Sequence, residues 1–120
     1  MSSTRTDFKL VTEDYWERFL RRTVETQFKP DVKREVPRYP YQGEAKLIIV
    51  DGEDSSTRRL SVVNISLEGL TAKGNTEIPI GTKAFVEMNP EGTPFVMAGE
   101  IVHCTETLGG FKIGIRLNFE

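Results

Sequence analysis

The sequence predicts an all-β fold, a small six-stranded antiparallel barrel with an amphipathic α-helix at its N-terminal end. Three observations carry this expectation. Short apolar runs with strand alternation recur from Gln42 onward, turns containing Gly or Pro separate them, and about six such runs share about 80 residues. Closing so small a sheet removes its exposed edges, which favours a barrel over an open sheet. The chain of 120 residues fits one domain able to bury a core without disulfides.

In chain order, the first element is "TEDYWERFLRRTVETQF", residues 12–28, where Trp16, Phe19, Leu20, Val24 and Phe28 recur at helical spacing. Thr12 is its expected N-cap, and Glu13 and Asp14 suit the positive end of the helix dipole. Glu17, Arg18, Arg21, Arg22 and Glu25 form the opposite face, and Pro30 ends the pattern. Such a helix either packs on its own domain or docks on a partner, and the sequence leaves both open. Residues 1–32 are thus an extension carrying the helix, and residues 33–120 the barrel domain.

The strands follow. "EAKLIIV" and "RRLSVVNIS" flank "DGEDSS", a hairpin connection. "EGLTAK", "KAFVEMN" and "PFVMAGEIVHC" come next. In the last, "FKIGIRLNF", Phe111, Ile113, Ile115, Leu117 and Phe119 alternate with Lys112, Gly114, Arg116 and Asn118, giving a core face and a polar face.

Composition narrows the function. Apolar residues at 38% and charged residues at 28% mark a globular chain, and the net charge of −2 opposes a general nucleic-acid binder. Any anion must therefore meet a local cluster of cations. The single Cys104 forms no internal disulfide, and no Cys/His spacing suits zinc. No apolar stretch is long enough to span a membrane, and "MSSTRTDFKL" lacks a signal peptide's apolar run, so a cytoplasmic location is expected. No nucleophile–base pairing, carboxylate pair in a cleft or phosphate-cradling Gly-rich motif is present, so no enzyme and no cofactor are expected. His103 reads as a packing or surface residue.

Two constellations remain. "KREVPRYPY", residues 33–41, sets Arg34 and Arg38 in a segment stiffened by Pro37 and Pro40, which push Val36 and Tyr39 out of the helical region. In an extended chain Arg34, Val36 and Arg38 point the same way, with the arginine Cα atoms about 13 Å apart. The pair is either a solvated basic linker or a pre-stiffened clasp for one large anion. "NISLEG", residues 64–69, ends the second strand. Alternation puts Asn64 and Ser66 on one face and Val63, Ile65 and Leu67 on the other. Asn64 and Ser66 can serve the edge of a base or bond their own backbone, and Gly69 permits a positive φ or close backbone approach to a ligand.

The order Lys33, Arg34-x-x-x-Arg38, then Asn64-x-Ser66-x-x-Gly69, then the strands "GTKAFVEM", "GEIV" and "GFKIGIRLNF" resembles the PilZ domain family. The resemblance spans Lys33 to Glu120 and leaves the N-terminal helix outside. It implies a six-stranded barrel and a receptor for the bacterial second messenger cyclic di-GMP. Arg34 and Arg38, and less centrally Lys33, would grip phosphates and guanine; Asn64, Ser66 and Gly69 would receive a guanine on the barrel. Guanidinium forks suit phosphate oxygens and the O6/N7 edge of guanine. Asn64 stands where aspartate is the alternative, and Lys33 where arginine is common.

The resemblance further implies an effector protein as partner, and leaves open one ligand or a stacked pair and a ligand-dependent dimer. The competing reading is a PilZ-like protein-interaction adaptor that binds no nucleotide. A third, a barrel for single-stranded nucleic acid, needs aromatics interleaved with a basic groove, whereas here the aromatics fall mostly on core faces.

Overall fold

The computed structural model describes residues 10–25, 38–89 and 94–119 of the chain. Its six strands are β1 (Arg38–Asp51), β2 (Asp54–Ser66), β3 (Gly69–Gly74), β4 (Lys83–Met88), β5 (Phe95–Thr107) and β6 (Gly110–Leu117). All pairings among these six strands are antiparallel, and the order β1-β2-β3-β6-β5-β4 closes because β1 also pairs with β4. The expected six-stranded barrel is therefore observed.

Strand alternation builds the interior. Ala84, Val86 and Met88 of β4 point inward, as do Ile113, Ile115 and Leu117 of β6, and they meet Leu47, Leu60 and Ile101 in one apolar cluster. Each fully buried Val, Leu, Ile or Met side chain contributes about 1.5–3 kcal/mol. The first hairpin is tighter than expected. Asp51 pairs with Asp54, so "DGEDSS" contracts to a turn at Gly52 and Glu53, and Gly52 takes the positive φ of 67° that it requires.

A helix, α1 (Glu13–Leu20), precedes the barrel, and Thr12 caps it by accepting the Tyr15 amide at 3.1 Å. From Arg21 the α-helical pattern becomes a π-helical turn, Arg21–Glu25, which packs against β1; residues 26–28 of the expected helix lie outside the described residues. Trp16, Phe19 and Leu20 are buried in the same cluster as the barrel strands. These three of the five residues predicted for the apolar face thus pack on the chain's own barrel. Phe19 lies edge-on to Phe95 at 5.0 Å, and Trp16 stacks on Phe19 at 5.5 Å. Ahead of α1, the Val11 amide donates to the Val96 carbonyl of β5 at 3.0 Å. The polar face carries the exposed pairs Arg18–Asp14 and Arg21–Glu17, which add little stability.

Candidate functional site

The Asn64–Gly69 motif forms the exit of β2, its turn and the start of β3. Simple alternation fails here. Val62 pairs with Ala72 and Asn64 with Thr71, so Val63 is the extra residue of a β-bulge. Val63 is consequently exposed while Val62 and Ile65 are both buried, which corrects the expectation that Val63, Ile65 and Leu67 share a face. Asn64 and Ser66 do line one cleft.

Ser66 builds the turn. Its Oγ accepts the amides of Glu68 at 3.2 Å and Gly69 at 3.1 Å, and donates to the Gly69 carbonyl at 3.2 Å. A hydroxyl has one donor and two acceptor positions, so all are occupied by backbone. Gly69 does not take a positive φ. Its need for glycine comes from β6: a Cβ would collide with the Ile115 carbonyl oxygen and lie 3.1 Å from the Arg116 Cα. The Glu68 carbonyl accepts the Leu117 amide at 2.7 Å, which ties the turn to the same strand.

Arg38 begins β1, with its Cα opposite Ser66, and Tyr39 pairs with Ile65. The expected extended conformation holds for these residues, but Arg38 belongs to the barrel rather than to a linker before it. Lys33 and Arg34 lie outside the described residues.

Arg38, Asn64, Ser66 and Gly69 converge on a cleft of about 830 Å³. Its other wall comes from β5 and β6 and includes His103, Thr105, Lys112 and Arg116. Among the described lining residues are three basic side chains, Arg38, Lys112 and Arg116, against one carboxylate, Glu68. Arg116 also approaches Glu100 at 3.5 Å on the surface. The cleft therefore concentrates positive charge on a chain whose net charge is −2.

His103, expected as a packing or surface residue, is exposed and lines this cleft. It pairs with Gly114, whose missing side chain leaves room for the ring: a Cβ there would lie 3.1 Å from the His103 Cβ and Cδ2. A second bulge, between Ile101 and His103, shifts the alternation of β5 at this point. Lys112 and Arg116 were legible as the polar face of the last strand. Their convergence with Arg38 was not, because it depends on β3 pairing with β6. Among the described residues no group of His, Cys, Asp or Glu could hold a metal ion.

The chain is thus a small closed six-stranded β-barrel with a cationic cleft beside the turn between β2 and β3. A model of the PilZ domain matches residues 32–120, and the chain belongs to that family. The fold is similar to the PilZ domain of YcgR from Escherichia coli in a structure with c-di-GMP, at a TM-score of 0.55 and 16% identity, covering 71% of this chain and 77% of that one. It is also similar to YcgR from Escherichia coli in complex with c-di-GMP, at a TM-score of 0.58 and 20% identity, over 72% of this chain and 38% of that one. At these identities the likeness is one of fold. A comparison with curated protein sequences finds no match.

Proposed function

We propose that this chain is a receptor for cyclic di-GMP, which binds in the cleft between the Asn64–Gly69 turn and the β5–β6 wall. The observation that carries this reading is the gathering of Arg38, Lys112 and Arg116 around one cleft, against the negative balance of the whole chain. A cleft of about 830 Å³ is within the range of small-ligand sites. Membership of the PilZ family and the c-di-GMP named in both similar YcgR structures support the choice of ligand.

Arg38 contributes a fork for a phosphate or for the O6/N7 edge of guanine. Arg34 and Lys33 add charge from the segment before β1 and close over the bound nucleotide. Asn64 offers an amide that can donate and accept, while Ser66 shapes the turn and Gly69 admits the neighbouring backbone. Closure of the arginine segment alters the surface beside β1, and that change is what an effector protein reads. The ligand shifts this equilibrium only by its differential affinity for the two arrangements.

Titration calorimetry with cyclic di-GMP tests the reading. Wild-type protein should bind, and Arg34→Ala and Arg38→Ala should each weaken binding by about ten- to a hundredfold, the effect of one lost charge-assisted hydrogen bond. Unchanged affinity in both variants refutes the arginine clasp. A folded wild-type chain that gives no heat supports an adaptor that binds no nucleotide.

A further inference from the structure

We propose that Trp16 is a positioning residue for the ligand-receiving turn: its indole N–H holds the Ser66 carbonyl and so makes α1 part of the site. The role in binding rests on the cleft being the nucleotide site; the role in holding the turn does not.

The Trp16 Nε1 donates to the Ser66 carbonyl at 2.9 Å, and the tryptophan is fully buried. Indole nitrogen is a donor only, and a buried one needs an acceptor. Here the acceptor is the last residue of β2, whose side chain already organises the amides of Glu68 and Gly69. The direction of the Ser66 carbonyl sets the plane of the peptide that leads into the turn. One residue is therefore gripped at both ends, its hydroxyl by the turn and its carbonyl by the helix.

The grip is stiff because Trp16 is itself held. Its ring stacks on Phe19, which meets Phe95 and Tyr41 edge-on, and Thr12 caps the helix. Trp16 also lies before the residues matched by the family model, so this contact is supplied by the helical extension and not by the barrel. Arg38 faces the same Ser66 from β1. A movement of α1 must then be felt at the residue where the two halves of the site meet.

Trp16 is the chain's single tryptophan, so it can be replaced throughout by 3-benzothienylalanine, which keeps the ring shape and substitutes sulfur for the N–H. Two measurements follow on the intact chain: amide hydrogen exchange without ligand, and calorimetry with cyclic di-GMP. Exchange at Glu68 and Gly69 should accelerate by about three- to tenfold, the equilibrium effect of one neutral hydrogen bond, while Leu47 and Ile101 stay unchanged. Affinity for cyclic di-GMP should fall by a similar factor. Trp16→Phe, which removes the same donor, should move the same two amides ahead of Leu47 and Ile101. Unchanged exchange at Glu68 and Gly69, or an equal acceleration at all four amides, overturns the positioning role. Local acceleration with unaltered affinity overturns its role in binding. A wild-type chain that takes up no cyclic di-GMP refutes the ligand and with it the binding role, while the exchange comparison still decides whether Trp16 holds the turn.

Discussion

Ser66 illustrates how one side chain can shape a turn without presenting a free group to the cleft beside it. Its hydroxyl engages the Glu68 and Gly69 amides and the Gly69 carbonyl, so what the turn offers to the cleft is shape and backbone. Ser66→Ala leaves the buried Gly69 amide and the half-buried Glu68 amide without this acceptor, which costs about 1–3 kcal/mol. The expected outcome is a lower midpoint in thermal unfolding together with weaker cyclic di-GMP binding. Lost affinity at unchanged stability would instead mean that the hydroxyl serves the ligand directly. The residue types of this motif were legible in the sequence. The reason for glycine at Gly69 was not, because the Ile115 carbonyl that excludes a Cβ comes from a strand more than forty residues further along.

At the scale of elements, α1 is integral to the barrel's packing. Its apolar stripe could be read from spacing alone, but spacing does not name the surface that covers it. The structure answers with Phe95 and Tyr41, which meet Phe19. Phe19 is 1% exposed, and Phe19→Ala should destabilise the whole chain by about 3–5 kcal/mol, read as a shift in the denaturation midpoint. A partner-docking helix independent of the barrel would tolerate the same change with little loss. The bulges of β2 and β5 beside the cleft belong to this scale too. Each inserts one residue, Val63 in β2 and Val102 in β5, and each re-aims the strand at the cleft, so a strict period of two misplaces the residues around them.

For the molecule as a whole, charge is uneven in a way that composition conceals. A net charge of −2 coexists with a cleft where Arg38, Lys112 and Arg116 converge. Electrostatic attraction of a doubly charged nucleotide to exposed cations weakens as salt shortens the screening length from about 30 Å at 0.01 M to about 8 Å at 0.15 M. Affinity for cyclic di-GMP should therefore fall by about three- to tenfold across that range, measured by titration at constant pH. An affinity independent of salt would place the binding energy in stacking and neutral hydrogen bonds instead.

The sequence by itself determined the strand and helix types, the faces of the regular strands, the N-cap at Thr12 and the order of the two motifs, because periodicity and local backbone preferences act over a few residues. Only the tertiary structure decided that Arg38 stands opposite Ser66, that His103, Lys112 and Arg116 complete the cleft, and that Trp16 reaches the Ser66 carbonyl. These contacts join residues far apart in the chain. They exist because the barrel closes in one register and the helix has one apolar surface to cover.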